Sequence, residues 1–297
     1  MSGRDGFLCI DKPGGVSSFS IVRTLRSRLG IKKAGHAGTL DPRAEGLLVL
    51  AFGKATRLIR YLPLEPKVYD FTIQFGSQTD TLDAEGAVVA SGGELPSRDA
   101  VAAIIKEFTG VLQQVPPAYS AVKVGGVRSY ALARKGVPPE LQPREISVER
   151  FVLREYDDIS GSAELSVTCS GGTYVRSFAR DIAEKLGTLG YASAIRRTRC
   201  GIFDVAKAYS PDRVDETTLL MTPGEVLTSF PGIQVDNDIF REIRYGRDIP
   251  VETISSDTSE YCMAYSGKDL IAVLRKTEAG KFHPDLVLDV EYFHADT

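Results

Sequence analysis

The sequence predicts a mixed α+β fold. Strand-like and helix-like segments follow one another without the regular strand-helix alternation of a doubly wound parallel sheet. Of the 297 residues, 43% are hydrophobic and 25% are charged, proportions typical of a folded globular protein. A chain of this length is sufficient for one large or two ordinary domains.

Hydrophobic periodicity defines the individual elements. Alternation and short apolar runs predict strands over residues 7–11, 47–52, 68–75, 87–90, 151–153 and 165–169. Apolar spacings of three to four predict helices from the Ser17-Ser18 cap to Leu29, and over residues 54–61, 97–108, 129–135 and 174–186. The prediction ends with a helical stretch around residues 215–227 and short strands near 261–265, 270–274 and 286–290.

Composition divides the chain into two predicted domains. Residues 1–235 form the larger one, and a segment within it at about 114–150, rich in proline and basic residues, is predicted to be an inserted arm. After the Pro231-Gly232 break, residues 236–297 contain short strand-like runs and are predicted to form a small β-rich domain.

Composition also excludes several classes of protein. The longest apolar runs have about seven residues, whereas a membrane-spanning helix needs roughly 20. Residues 1–6 are not followed by the apolar core of a signal peptide, so a cytoplasmic location is predicted. The four cysteines form no C-x-x-C pair and the three histidines are scattered, so we predict reduced core cysteines and no zinc site.

The net charge of −3 conceals a gradient along the chain. Residues 1–207 contain 28 Lys and Arg against 22 Asp and Glu, whereas residues 208–297 contain 8 against 17. A local basic excess suits a polyanionic partner, although a solvated charged surface is the commoner origin of such an excess.

The most informative segment runs over residues 35–48 (GHAGTLDPRAEGLL). Three glycines, His36 and Asp41 precede an apolar strand, a composition that lets a ligand approach the backbone closely. Pro42 restricts Asp41 to an extended backbone. Asp41 is either a functional carboxylate or a turn residue that bonds its own backbone, and this segment alone does not decide between them.

A second segment places an arginine where local rules disfavour it. The glycines at 171 and 172 precede a helix whose first turn contains Tyr174 and Arg176. Helix dipoles favour acidic residues at that end, so Arg176 either pairs with a carboxylate or phosphate or lies on the surface.

A third segment contains a tyrosine and two aspartates. Tyr69 lies on the same predicted strand face as Lys67 and Phe71, where a core tyrosine is the simpler interpretation. Asp80 and Asp83 follow in a turn-like stretch and are candidates for turn or cap residues.

Taken in order, these motifs resemble those of the TruB-type tRNA pseudouridine synthases. The similarity spans about residues 7–205, and five ordered motifs are far more specific than any single one. The motifs cover residues 35–42 with 46–48, 67–69, 79–86, 116–123 and 172–177.

The resemblance implies a catalytic domain with a mixed, largely antiparallel sheet that isomerises uridine 55 in the T-loop of tRNA. Asp41 matches the family's essential aspartate, which acts as nucleophile or as base. Arg176 would keep Asp41 charged, Tyr69 would stack on the uracil, and His36 would enter the disrupted loop. Base flipping would extract the nucleotide from its stack.

The resemblance also assigns supporting roles. Tyr174 and Asp83 are expected in the pocket wall and its polar network, and Arg57 and Lys123 are expected to bind the substrate. It implies no metal, no organic cofactor and no required protein partner. The expected state is a monomer that binds the T-stem-loop of tRNA.

The C-terminal segment departs most from the family pattern. Members of this bacterial group usually end in a small β domain, often of the PUA type, and residues 239–250 and 280–284 are only faintly similar to it. Because residues 208–297 carry 8 basic against 17 acidic side chains, a broad phosphate-binding face there is doubtful.

Two other functions stay open at this point. A tRNA-binding and remodelling protein with incidental isomerase activity would share every motif. A sugar or nucleotide hydrolase that uses Asp41 would usually need a second carboxylate roughly 5 to 10 Å away, and only Asp41 carries the loop signature.

Overall fold

A computed structural model describes residues 5–136, 140–249 and 259–288. The strands are β1 Gly6–Lys12, β2 Ala34–Ala37, β3 Glu45–Phe52, β4 Lys67–Phe75, β5 Ser77–Thr79, β6 Val88–Ser91, β7 Gly110–Gln114, β8 Lys123–Val124, β9 Val127–Arg128, β10 Arg144–Asp157, β11 Ser162–Cys169, β12 Gly190–Cys200, β13 Phe203–Asp204, β14 Gly232–Gln234, β15 Tyr261–Ser266, β16 Asp269–Lys276 and β17 Phe282–Val287. The helices are α1 Ser18–Arg28, α2 Arg98–Ile104, α3 Ser129–Ala133, α4 Val175–Lys185, α5 Pro223–Val226 and α6 Asn237–Arg244. Short 3₁₀ helices cover Gly53–Tyr61, Ile105–Phe108, Val205–Lys207 and Pro211–Arg213.

A single large sheet organises the N-terminal part of the chain. Its strand order is β1-β3-β12-β4-β11-β10-β7, with β2 beside β3 and β13 beside β12. The β3–β12 pair is parallel, and the other pairs of this sheet are antiparallel. The mixed α+β fold and the largely antiparallel sheet are therefore confirmed.

The two main helices of this part form for the reasons that their sequences indicate. The Ser17 side chain caps α1 by accepting from the backbone N–H of Ser20, and Gly30 ends the helix with a φ of +65°. In α4, the stripe of Phe178, Ala179 and Ile182 is buried, so this helix packs on the sheet through one face.

Two hydrophobic cores lie on the two faces of the sheet. One contains α1, α4 and an aromatic cluster in which the ring centroids of Phe151 and Phe178 are 5.2 Å apart. The other contains Leu47 and Val49 of β3, which pack with Met263 and Val273 of the C-terminal sheet. The four cysteines are free and buried, which confirms the cysteine prediction.

The arm leaves the sheet between two paired strands. Gln114 at the end of β7 lies opposite Arg144 at the start of β10, so the intervening chain projects from their shared end. The arm contains the β8–β9 hairpin and α3, while the predicted arm residues 137–139 lie outside the described part of the chain.

A second sheet, with the order β14-β15-β16-β17, forms the C-terminal part. Strand β14 pairs with β15 and thus joins this sheet before residue 236, where the sequence placed the boundary. Because Met263 and Val273 complete a core of the N-terminal part, a truncation at 236 would open that core.

Several local predictions differ from the structure. The helix expected over residues 54–61 is a 3₁₀ helix, and the one expected over 97–108 is α-helical only over Arg98–Ile104. The helix expected around 215–227 is reduced to α5, because the Asp215 side chain accepts from the backbone N–H of Thr217 and holds a turn instead. The segment that forms β12 was not predicted as a strand, because three arginines interrupt its apolar pattern. Residues 289–290 of the last predicted strand lie outside the described residues.

Candidate active site

The loop that contains Asp41 connects β2 to β3 and is fixed on both sides of the aspartate. The hydroxyl of Ser18, in the first turn of α1, donates to the carbonyl of Leu40 and accepts from its N–H, at 2.9 and 3.0 Å. On the other side, the ammonium of Lys12 and the backbone N–H of Gly15 each donate to the carbonyl of Pro42 at 2.9 Å. Asp41 is therefore presented on a rigid support.

Lys12 is a site residue that sequence reasoning missed. It is fully buried at the end of β1, and its ammonium also donates to the carbonyls of Pro13 and Val16. Burial lowers its pKa. The signal was present in the sequence, because strand alternation places Lys12 on the same face as the buried Leu8 and Ile10.

Arg176 connects the loop to the rest of the site. It is buried, and its Nε lies 3.0 Å from Oδ2 of Asp41 while its Nη1 lies 3.3 Å from Oδ2 of Asp83. The same guanidinium donates to the carbonyls of Thr81 and Tyr119, both at 2.9 Å. Of the alternatives that the helix position of Arg176 left open, pairing with a carboxylate is the one that the structure contains.

The start of α4 is held in place by Gln114, which orients Arg176. The buried Gln114 side chain accepts from the N–H of Tyr174 at 2.8 Å and donates to its carbonyl at 3.1 Å. Tyr174 is the N-cap residue of α4 and is half-buried. The amide of Gln114 therefore satisfies a helix end that no Ser, Thr, Asp or Asn caps.

The electrostatics of Asp41 are set by two opposing effects. Withdrawal from water raises the pKa of Asp41, and the negative charge of Asp83 raises it further. The positive charge of Arg176 lowers it, as does Lys12 more weakly. About 40% of the Asp41 side chain is exposed, so the carboxylate is accessible to a reactant on one side while it faces the buried Arg176 on the other.

Asp83 is buried and saturated with hydrogen bonds. Its Oδ1 accepts from the Thr81 hydroxyl at 2.6 Å and from the Glu85 N–H at 2.9 Å, and its Oδ2 faces Arg176. Such a carboxylate shapes the polar network around Arg176 rather than meeting a ligand directly.

Tyr69 and His36 both lie beside a second buried arginine, Arg197. Tyr69 is buried on β4 in the core that contains α4, and burial raises its pKa while Arg197 opposes the rise. His36 on β2 is half-buried, and its buried Nδ1 has no hydrogen-bond partner among the described residues. Burial lowers the pKa of His36, and the charge of Arg197 lowers it further.

Arg57 and Lys123 lie apart from this cluster in the structure. Arg57, on the 3₁₀ helix Gly53–Tyr61, donates to the carbonyl of Val287 at 2.9 Å, at the contact with β17. Lys123 is exposed on the hairpin of the arm. Neither contacts Asp41 or Arg176 through its side chain in the described part of the chain, so their substrate-binding roles remain predictions.

The basic excess of residues 1–207 predicts phosphate contacts by three arginines of β12, namely Arg196, Arg197 and Arg199. For Arg197 this prediction is wrong. Arg197 is only 1% exposed, so its side chain cannot reach a phosphate at the surface. Arg196 is half-exposed and pairs with Asp11 at 2.7 Å, and only Arg199 is exposed.

A cleft of about 990 Å³ borders the Asp41 loop at Arg43, passes Gly14 after β1, and continues over Asp70 and Arg196. Asp41 does not line it, so the cleft adjoins the site without containing it. Within the described residues, no group of three or more His, Cys, Asp or Glu side chains could hold a metal ion. Over the same ranges no helix has the length and apolar character needed to cross a membrane.

The chain matches the model of the TruB family pseudouridylate synthases, N-terminal domain, over residues 26–175. The chain belongs to this family. A relative from Gluconacetobacter diazotrophicus, tRNA pseudouridine synthase B, is 38% identical over 298 residues, which cover 96% of this chain and 97% of that protein. The proteins of the same name from Gluconobacter oxydans and Paracoccus denitrificans are 41% and 46% identical, covering 82% and 71% of this chain and 77% and 70% of theirs.

Solved structures agree on the fold. The structure described as a Cbf5-Nop10-Gar1 complex contains a chain that is 24% identical, with a TM-score of 0.71 over 96% of this chain and 85% of that one. At this identity the similarity establishes a shared fold alone. As a TruB family member, the chain is a pseudouridine synthase.

Proposed function

We propose that this enzyme isomerises uridine 55 in the T-loop of tRNA to pseudouridine, with Asp41 as its catalytic residue. The observation that carries the proposal is the half-open Asp41 carboxylate, held on a fixed loop 3.0 Å from the buried guanidinium of Arg176. The relatives that bear the name tRNA pseudouridine synthase B support tRNA as the substrate.

The reaction breaks one bond to the sugar and makes another. The bond from C1′ to N1 breaks with its electron pair on the uracil, the ring turns, and C5 bonds to C1′. C5 then loses its proton and N1 gains one, so atoms and charge balance. An ionised carboxylate can serve the sugar as nucleophile or as base, and we assign this task to Asp41.

Arg176 has a defined part in this proposal. A closed site would drive Asp41 toward its neutral form, and the adjacent guanidinium favours the charged form that the chemistry requires. Asp83 holds Arg176 from the other side, so the orientation of the guanidinium does not depend on Asp41 alone.

Extraction of the base is the second requirement. A nucleotide stacked within the T-loop must be flipped out before C1′ and C5 become accessible. We propose that Tyr69 stacks on the uracil and that His36 enters the vacated loop. His36 lies on β2, which leads into the Asp41 loop, and Tyr69 is the register partner of Arg197, which donates to Gly38 of that loop. Tyr174 would form part of the pocket wall, and Arg57 and Lys123 would contact the RNA.

The remaining predictions concern organisation. We propose that residues 1–235 form the catalytic domain, except that Gly232–Gln234 of β14 joins the C-terminal sheet, that 236–297 form a divergent PUA-like domain, and that the enzyme acts as a cytoplasmic monomer. The small sheet β14–β17 is consistent with a β-rich accessory unit.

The test is a reaction with an unmodified tRNA transcript, followed by mapping of pseudouridine with carbodiimide and primer extension. The parent enzyme should modify position 55. Asp41→Asn keeps the shape of the side chain but cannot act as nucleophile or base, so it should bind tRNA and form no product. Product from this variant in single-turnover reactions, above a buffer blank, would remove Asp41 from its role, and product at another position would overturn the assignment of uridine 55.

A further inference from the structure

Arg197 is a buried cation in the middle of the central sheet. It lies on β12, its residue is 1% exposed, and its Nε donates to the carbonyl of Leu47 at 2.9 Å. Its Nη2 donates to the carbonyl of Gly38 at 3.0 Å. Within residues 5–136, 140–249 and 259–288, no carboxylate lies within ion-pair distance of this guanidinium, unlike those of Arg176 and Arg196.

A buried charge without an opposing charge is costly, so its retention needs a reason. Packing is not a sufficient reason to retain this arginine, because an aliphatic side chain would fill the same volume without the cost of a buried charge. The contacts of Arg197 supply a different reason, because each of them belongs to the site of Asp41.

Strand β12 lies between the two strands that carry the site. On one side, Arg197 is the register partner of Gly46 in β3, where the backbones are so close that a Cβ on Gly46 would lie 2.3 Å from the Arg197 carbonyl oxygen. On the other side, Arg197 is the register partner of Tyr69 in β4, so the two side chains are neighbours across the strands, and Arg197 opposes the rise in the pKa of Tyr69 that burial causes.

The two carbonyl contacts bracket the catalytic loop. Gly38 precedes Asp41 and has a φ of +91°, a conformation that glycine adopts readily, and Leu47 is a buried residue near the start of β3, the strand after the loop. Arg197 therefore ties both ends of the loop to the tyrosine on the neighbouring strand.

We propose that Arg197 is a positioning residue, whose buried guanidinium fixes the Asp41 loop relative to the Tyr69 ring. This inference rests on the proposed function of Asp41 and Tyr69. It predicts that Arg197 affects the rate of the chemical step rather than the affinity for tRNA, because its residue is only 1% exposed and its side chain cannot itself contact the RNA.

The test compares single-turnover rate constants and tRNA Kd values for Arg197→Met and Arg197→Lys. Methionine removes every donor, so the rate should fall on the order of 100-fold, the effect of a small misplacement of reacting groups, with little change in Kd. Lysine keeps the charge but cannot donate to both carbonyls in the way that the forked guanidinium does. The rate of Arg197→Lys should therefore lie between those of the parent and Arg197→Met. Val101→Ala, a buried change in α2, is the control for lost stability.

A double-mutant cycle with Tyr69→Phe tests the coupling itself. If Arg197 acts by positioning Tyr69, the loss of the Tyr69 hydroxyl should slow Arg197→Met much less than it slows the parent. Effects that simply multiply would overturn this part of the proposal, as would full activity of Tyr69→Phe alone.

Other outcomes distinguish a failure of the inference about Arg197 from a failure of the proposed function. If the parent forms no pseudouridine, the proposed function has failed. If the parent is active, the inference about Arg197 is overturned by a folded Arg197→Met with the parental rate, or by a Val101→Ala variant of equal Tm loss that slows as much. Should Arg197→Met not fold, Arg197→Lys decides, because a parental rate there excludes positioning by the fork.

Discussion

The ion-pair network of Arg176 makes two predictions of opposite sign for the pH dependence of the enzyme. In the native site, withdrawal from water raises the pKa of Asp41 and Arg176 opposes that rise. Arg176→Met removes the opposition, so Asp41 should lose its proton only at higher pH. The acidic limb of the single-turnover rate profile should therefore move to higher pH.

The companion variant should move the same limb the other way. The negative charge of Asp83 raises the pKa of Asp41, so Asp83→Asn removes that contribution and keeps a side chain of the same shape. The limb should then move to lower pH. Both variants disturb the network of Arg176, but a merely structural disturbance would not shift the acidic limb in opposite directions in the two variants.

The same change in Arg176 should lower stability by a predictable amount. Removing one partner of a buried ion pair costs about 3 to 5 kcal/mol. Arg176 and Asp83 are both buried, while Asp41 is 40% exposed and its share is screened by solvent. We expect the lower end, about 3 kcal/mol, from urea unfolding of Arg176→Met at neutral pH.

The assay is the rate of pseudouridine formation with enzyme in excess, measured across the acidic range for the parent and both variants. Circular dichroism at each pH would show that the proteins are folded. A limb that stays in place in both variants, or that moves in the same direction in both, would refute the assignment of that limb to Asp41.

Three further outcomes are expected. Tyr69→Leu should stop turnover, whereas Tyr69→Phe keeps a stacking surface worth roughly 1 to 3 kcal/mol per base; equal inactivity of the two variants would assign the role to the hydroxyl. We also consider a triple variant with alanine at the exposed arm residues Arg128, Arg134 and Lys135. This variant should flatten the dependence of log Kd on log salt by about two to three units, at roughly 0.7 to 0.9 per lost contact. An unchanged slope would exclude the arm from phosphate binding. Asp41→Asn should need as much urea as the parent, or more, to unfold at neutral pH. The site raises the pKa of Asp41 above its unfolded value, so the folded state binds the proton more tightly and its stability falls as pH rises between the two values; a lower midpoint would contradict the direction of that pKa shift.

Local patterns were sufficient for much of the fold and for the loop of Asp41. The cap at Ser17, the apolar stripe of α4 and the alternation in β4 each lie within a few residues of the chain, so the sequence determines them directly. The helix position of Arg176 left open whether this residue pairs with a carboxylate or phosphate or lies on the surface. The structure identifies Asp41 and Asp83.

Only the tertiary structure decided which charged residues are buried. Lys12 shares a strand face with Leu8 and Ile10, which points to its burial but not to its partners. Arg197 resembles a surface residue in the sequence, because the arginines of β12 concealed the strand itself. Their burial depends on carbonyls supplied by distant segments: Pro42 for Lys12, and Gly38 and Leu47 for Arg197. A local pattern carries no information about such partners. These carbonyls replace the water that the buried charges lose, and they come together only when the strands of the sheet assemble.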